Sequence, residues 1–332
     1  MFSIFIRYIL SQKLFQKKQI YDMLYNMLVS LILLIVGFVL LVRGADAFVD
    51  AAAGVARRFN IPAIIIGTTL VAIGTSAPEA AISIAAALKG SDGVSIGNVI
   101  GSNITNIFLI LGITALIGAL PIHKNTKKYE LPFVGLVTLL LIGFGIWLGS
   151  VSRIAAFIFL AMFAGFIMYT IIMARRSNEP EPEIKQFSLP MTILMIIVGI
   201  AAIILGSNLT VDSAMDIATR VGVSDRVIGL TLVALGTSLP ELAVCVAAAL
   251  KREYDMAVGN IVGSNIFNIL FVLGTAAAIH PLPFNPAFIF DGAIAMLAVI
   301  MLMLFTVHGS KLTRVGGIIF LMSYIAYVIY LI

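Results

Sequence analysis

The chain carries Gly74-Thr75-Ser76-Ala77-Pro78-Glu79 and, 162 positions later, Gly236-Thr237-Ser238-Leu239-Pro240-Glu241. Each copy sets a carboxylate inside a long apolar stretch, where an unpartnered acid costs about 2.5–3.5 kcal/mol even on the most lenient scale. Pro78 and Pro240 lack an N–H and clash with the preceding turn, and Gly74 and Gly236 loosen the backbone before them. Carbonyls are thereby freed near residues 72–75 and 234–237, and in hydrocarbon they need partners. With the hydroxyls of Thr75, Ser76, Thr237 and Ser238 and the charges of Glu79 and Glu241, they make an all-oxygen ligand set for a hard cation. A proline kink braced by Ser and Thr would account for one copy. Two matched buried acids call for one shared partner.

A second pair of motifs adds neutral oxygen. Gly101-Ser102-Asn103-Ile104-Thr105-Asn106 is matched by Gly263-Ser264-Asn265-Ile266-Phe267-Asn268. Ser102 and Asn106 are four apart and share a helical face, as do Ser264 and Asn268. Alone, these would read as small-residue packing seams. Beside the Glu motifs, the amide oxygens of Asn106 and Asn268 are expected to complete the cation sites, while Asn103 and Asn265, on another face, brace the helix break. Oxygen ligands suit Ca²⁺ or Na⁺ rather than Zn²⁺ or Cu²⁺, which favour His and Cys. His123, His280 and His308 fall near loops and span ends, and the single Cys245 is expected to be buried and inert.

The elements that hold these motifs must be membrane helices. Of 332 residues, 61% are hydrophobic and 11% charged, and the mean hydropathy is +1.11. No water-soluble fold hides that much apolar surface. Apolar runs of spanning length fall at 27–57, 62–88, 93–119, 130–149, 153–173, 188–218, 225–250, 255–279, 287–307 and 312–331. The second, third, seventh and eighth are broken by Gly, Ser, Thr, Asn and Pro. The expected organisation is an N-terminal extension (1–26, non-essential), a first half (27–173), a polar linker (174–187) and a second half (188–332). If residue 27 starts outside, the inner loops hold twelve Lys and Arg and the outer loops four (Lys89, Arg153, Arg220 and Arg226). Both termini are therefore predicted outside a plasma (inner) membrane, with the linker in the cytoplasm. The net charge of +5 reflects this topology and implies no nucleic acid. Asp46, Asp50, Asp212 and Asp216 read as helix-end charges or, more sharply, as a vestibule or sliding gate.

Shifted by 162, the halves align without a gap from Gly44 to Gly112. Asp50 meets Asp212, Gly67 meets Gly229, and Gly97-Asn98 meets Gly259-Asn260. Five spans per half is odd, so the second copy enters from the opposite side. The predicted fold is all-α, an integral membrane protein of ten transmembrane helices arranged as two inverted five-helix repeats, a common transporter plan with its site at mid-bilayer.

The duplicated motifs resemble the α-repeats of the calcium/cation antiporter superfamily, specifically its sodium/calcium exchangers, from about residue 27 to the end. The resemblance implies that Glu79 and Glu241 are the central Ca²⁺ carboxylates and that Thr75 and Thr237 give carbonyls to Ca²⁺. It also implies that Ser76, Ser102, Ser238, Ser264 and the carbonyls of Ala72 and Ala234 line Na⁺ sites, with Asn106 and Asn268 completing the centre. Some relatives carry Asp where Asn268 stands, linked in the potassium-dependent branch to K⁺. Asn268 leans against K⁺ co-transport. The short linker leaves no room for the regulatory calcium-binding domains of some animal relatives. The expectation is a secondary antiporter of Na⁺ and Ca²⁺, not an enzyme. It has no cofactor beyond the transported ions, no indicated protein partner, and the bilayer as its surroundings. A Ca²⁺/H⁺ exchanger on the same scaffold, with the two glutamates as proton carriers, is the alternative; a channel or a non-transporting scaffold are more distant rivals.

Overall fold

The computed structural model describes residues 2–59, 61–89, 92–176, 187–221, 234–307 and 309–331. Among these residues eight helices are long and apolar enough to cross a membrane, or nine spans if the bent pair Ala63–Thr75 and Ala77–Leu88 counts as one. The described architecture is helical but for two two-residue β-bridges. Part of the linker, His308, Arg226 and the first portion of the span expected at 225–250 lie outside the described residues.

In the first half the helices are α1 (Phe2–Arg58), α2 (Ala63–Ile66), α3 (Ala72–Thr75), α4 (Ala77–Leu88), α5 (Asp92–Ile104), α6 (Leu111–Ile117), α7 (Leu131–Leu148) and α8 (Arg153–Arg176). In the second half they are α9 (Leu189–Arg220), α10 (Ala234–Thr237), α11 (Leu239–Leu250), α12 (Tyr254–Phe267), α13 (Gly274–Ile279), α14 (Ala287–Val307) and α15 (Arg314–Leu331). The extension does not form a separate element, since α1 runs unbroken from Phe2 through the first span.

Two bridges, β1 (Leu120–Pro121) with β4 (Lys311–Leu312) and β2 (Ser150–Val151) with β3 (Leu282–Pro283), reveal the symmetry. β1 and β2 flank α7 and so mark its opposite ends. β3 is the sequence copy of β1, yet it pairs with β2. The copy of β1 therefore sits at the other end of the bundle, which an inverted repeat requires.

The centre is built from the runs containing α5–α6 and α12–α13, whose most apolar stretches are 72% and 83% buried. Glycine permits the contact between α12 and the first-half broken helix: a Cβ on Gly263 would lie 2.5 Å from the Thr68 carbonyl oxygen, and one on Gly259 2.5 Å from that of Ile64. The segment that would meet Gly101, the counterpart of Gly263, lies outside the described residues.

Outside this centre, α1 and α9 lie against one another over much of their length. Their seam is reciprocal. Gly37 faces Gly206 and Gly44 faces Gly199, each equivalent to a member of the other pair, with backbone so close that a Cβ on Gly206 would meet Leu41 N at 2.5 Å. Small residues let helices touch along their backbones, where dispersion rather than hydrophobic burial holds them in lipid.

Candidate functional site

Both proline motifs fold the same way. Ser76 (φ −84°, ψ 10°) interrupts the helix between α3 and α4, and the axis bends by 48°. Ser238 (φ −91°, ψ 4°) does the same between α10 and α11. Pro78 and Pro240 fall at the second position of the restarted helices, where a missing N–H costs nothing. Glu79 and Glu241 follow in the first turn of α4 and α11, each 1% exposed. The Gly236 carbonyl accepts from Ser207 Oγ at 3.0 Å. Its copy, Gly74, has Ala45 where a serine would be needed. The Ala72 carbonyl takes the Ser76 N–H at 3.0 Å and the Thr75 hydroxyl at 3.4 Å. Ala234 opens α10.

The chain brings the two Glu motifs and the two Asn motifs to one place. Ser76 Oγ donates to Glu241 Oε1 at 2.7 Å and lies 2.9 Å from Ser264 Oγ. Ser102 interacts with Glu79, the two carboxylates sense one another's charge, and Thr75 lies against Glu241. Thr75 Oγ1 also donates to Asn260 Oδ1 at 3.1 Å. Thr237 is half-buried beside Ser238. No Lys, Arg or His forms an ion pair with Glu79 or Glu241 among the described residues.

Asn106 opens into, and Asn268 begins, short π-helical turns, Thr105–Ile110 and Asn268–Leu273. Such turns shift the register of a helix and recur at functional sites. Bracing comes from Asn103 and Asn265 across the repeat axis. Asn103 Nδ2 donates to the Asn265 carbonyl at 3.2 Å, and Asn265 Nδ2 to the Asn103 carbonyl at 3.4 Å. Their side-chain oxygens then accept from Asn106 Nδ2 at 2.9 Å and from Asn268 Nδ2 at 3.2 Å. With both amide nitrogens committed, the oxygens of Asn106 and Asn268 face the other way.

Among the described residues five buried side-chain oxygens have no hydrogen-bond partner: Glu79 Oε2, Glu241 Oε2, Asn106 Oδ1, Asn268 Oδ1 and Ser238 Oγ. Buried polar atoms are nearly always paired. All five belong to the four duplicated motifs; four are carboxylate or amide acceptors, and the Ser238 hydroxyl can accept as well as donate.

Sequence reasoning aligned Asn98 with Asn260 without giving either a task. Asn98 Nδ2 donates to the Glu79 carbonyl at 3.3 Å and to Ser83 Oγ at 3.0 Å, and Asn260 Nδ2 reaches the buried Cys245 Sγ at 3.4 Å. Both tie the Glu-bearing helix to the Asn-bearing one. Their duplication in the Gly-Asn pairs was the available signal.

The carboxylates near the membrane face resolve to ion pairs. Lys251 Nζ meets Asp46 at 2.7 Å and Asp50 at 2.6 Å, and Arg57 meets Glu253 at 3.4 Å. Asp216 pairs with Arg220 at 2.7 Å and accepts from Ser30 Oγ at 2.6 Å. Asp212 is exposed. Asp216 falls near the end of α9, as the helix-end reading expects, whereas Asp46 and Asp50 lie well inside α1.

Comparison with known proteins agrees with this geometry. A family model described as sodium/calcium exchanger protein matches residues 29–172 and again 191–332, one copy per half. Inner membrane protein YrbG of Escherichia coli is 40% identical over 272 residues, covering 78% of this chain and 83% of that protein. Sodium/calcium exchanger MaX1 of Methanosarcina acetivorans is 31% identical over 344 residues, covering 91% and 98%. A solved structure of the sodium-calcium exchanger NCX_Mj superposes with a TM-score of 0.82 at 35% identity, over 92% of this chain and all of that one.

Proposed function

The chain belongs to the sodium/calcium exchanger family, and from that premise we propose that it exchanges Na⁺ for Ca²⁺ by alternating access. The observation that carries this reading is the set of five orphaned oxygens. Two are carboxylate oxygens that no cationic side chain pairs with among the described residues, a charge that one Ca²⁺ or two Na⁺ would balance. The remaining three are neutral and match ions that accept mixed oxygen shells.

Within the site, Glu79, Glu241 and the Thr75 and Thr237 carbonyls hold Ca²⁺. Ser76, Ser102, Ser238, Ser264 and the carbonyls of Ala72 and Ala234 line the Na⁺ positions, and Asn106 and Asn268 complete the centre. Ala234–Thr237 and Leu239–Leu250 form the end of a tenth span, giving two inverted five-helix repeats. Both termini then face outward and the linker lies in the cytoplasm of the cell's inner membrane. Occupied by either ion set, the site is charge-compensated and the α1–α9 pair slides along its glycine seam. Empty, it carries two uncompensated carboxylates through a low-dielectric barrier, and that cost prevents leak. Lys251 with Asp46 and Asp50 closes the cytoplasmic end in this conformation.

The test is ⁴⁵Ca²⁺ uptake into proteoliposomes loaded with Na⁺ or choline at equal pH. Uptake that requires internal Na⁺ and disappears in Glu79→Gln supports the exchange. Protons could compensate the same two carboxylates, so uptake driven by a pH gradient and indifferent to Na⁺ would replace Na⁺ with H⁺ as the coupling ion.

A further inference from the structure

Glu130 is a third buried acid, away from the transport site. It is 4% exposed and closes the π-turn Thr126–Glu130 at the start of α7. Thr126 Oγ1 donates to its Oε2 at 2.8 Å and Tyr169 Oη lies 3.5 Å from its Oε1. These are hydroxyl contacts, and no ion pair reaches the carboxylate among the described residues. It lines a cavity of about 430 Å³ between α7 and α8, with Tyr129, Phe133, Met162, Phe166 and Tyr169 as the other principal walls. The rings form a continuous cluster: Tyr129–Tyr169 centroids are 6.5 Å apart, Phe133–Phe166 5.8 Å and Phe166–Tyr169 6.2 Å. Next to the lining residue Tyr129, Lys128 Nζ sits 5.1 Å from the ring centroid. Gly165 leaves the mouth open, since nothing lies within 4 Å of a Cβ placed on it.

A related arrangement recurs in the second half, where the copies are 161 residues apart: Tyr327 Oη donates to Asp291 Oδ1 at 3.0 Å, and the Phe290 and Tyr330 ring centroids are 4.4 Å apart. The cavity is the one beside Glu130. Its chemistry selects the ligand. A buried carboxylate among aromatic faces favours an organic ammonium, held by charge and by the negative faces of the rings. A metal cation would want an oxygen shell, which the aromatic walls do not offer. The lysine beside Tyr129 adds a point charge suited to phosphate. The site lies at the start of the candidate span Thr126–Leu148, the level at which a spanning helix meets the headgroups.

We infer that this cavity binds a zwitterionic phospholipid carrying a primary ammonium, with the ammonium against Glu130 and the aromatic cluster and the phosphate at Lys128.

The test is native mass spectrometry of the full chain, delipidated in detergent and titrated with phosphatidylethanolamine or phosphatidylglycerol. Wild type should retain the ethanolamine lipid about fivefold more strongly than the glycerol lipid, an ordinary magnitude for a desolvated cation–π and carboxylate contact. Glu130→Gln should remove that preference, and Lys128→Gln should weaken both lipids alike. Should Glu130→Gln fail to purify as a monodisperse protein, Tyr129→Leu, at an exposed ring, should reduce the preference instead. Unchanged preference in Glu130→Gln, or in Tyr129→Leu where that variant is used, overturns the assignment. So does equal retention of the two lipids by wild type, or displacement of the lipid by an equimolar amount of free ethanolamine.

Discussion

The two copies agree at the centre of the molecule and disagree at its ends. At the centre, Glu79 and Glu241 each leave one oxygen without a partner, and Asn106 and Asn268 do the same. At one end of the α1–α9 pair, Lys251 holds Asp46 and Asp50, and Arg57 holds Glu253. At the other, Lys89, the copy of Lys251, is exposed, and among the described residues it forms no ion pair with Asp212, the copy of Asp50. The remaining copies cannot pair at all, because Asp46 becomes Asn208, Arg57 becomes Thr219 and Glu253 becomes Ser91. An inverted repeat gives two similar wells, one open to each side. Here one well can be closed by three ion pairs and the other by one. The centre, which must receive the same ions from both sides, keeps its symmetry, while the ends set the relative depth of the wells.

The largest effect should come from breaking the symmetric part. Glu79→Gln and Glu241→Gln are each expected to reduce Na⁺-dependent ⁴⁵Ca²⁺ uptake by roughly 100-fold, the scale for removing one partner of a desolvated charge contact. The two losses should be similar despite the unequal ends. A Glu79→Gln protein that transports well while Glu241→Gln is dead would show that the centre is asymmetric too.

Next come the asparagines behind the site. Asn103→Leu and Asn265→Leu leave the ligands in place but release the amides of Asn106 and Asn268 to turn. Groups that orient ligands typically change affinity by about 10-fold. The Ca²⁺ dependence of exchange should shift by about that much in both variants, and the double variant should lose less than the sum, because the two amides cross-brace one another.

Much of this centre was legible in the sequence because it is duplicated. Pro78-Glu79 and Pro240-Glu241 announced buried acids at a helix break, and Asn106 and Asn268 announced neutral oxygen on one face. Asn103 and Asn265 were assigned to bracing because they fall off that face, and the structure places them there. The π-turns at Thr105–Ile110 and Asn268–Leu273 were not legible, since one extra residue in a turn leaves no mark in an all-apolar pattern. The β-bridges at Leu120 and Ser150 join residues distant in sequence through two positions each, too few for any alternation to show. The Lys251 ion pairs were missed for a different reason. Asp46, Asp50 and Lys251 were each noticed, but only the close approach of α1 to α11 decides which acid meets which base. The N-terminal extension has no second copy to compare with, so nothing in the sequence tied it to the first span as one helix.

Smaller effects should appear at the ends, and they should be unequal. Lys251→Gln removes two of the three closing pairs. Partly exposed pairs contribute about 0.5 kcal/mol each, so losing two should move the balance between wells by roughly fivefold toward the opposite opening. Hydrogen exchange of α1 backbone amides around residues 46–58 would report it, with faster exchange in the variant. Lys89→Gln should change that exchange little, because Lys89 forms no ion pair among the described residues. Equal responses from the two lysines would mean that the ion pairs do not set the wells.

The smallest and most discriminating change adds a charge to the poorer end. Asn208→Asp restores the acid that its copy, Asp46, supplies at the other end, giving Lys89 two possible partners instead of one. Asn208 is exposed, so the substitution has little packing to disturb. A single surface pair is worth about 0.2–1 kcal/mol, which predicts a shift of roughly 1.4- to fivefold, in the same direction as Lys251→Gln but by stabilising the other well rather than weakening this one. The added pair is screened by salt, so its shift should shrink between low and high ionic strength. The effect of removing the Lys251 pairs should shrink in the same way, since salt already weakens those pairs in the wild type. Hydrogen exchange of the Asn208→Asp protein at two salt concentrations therefore separates an end that sets the balance of wells from one that merely decorates the surface.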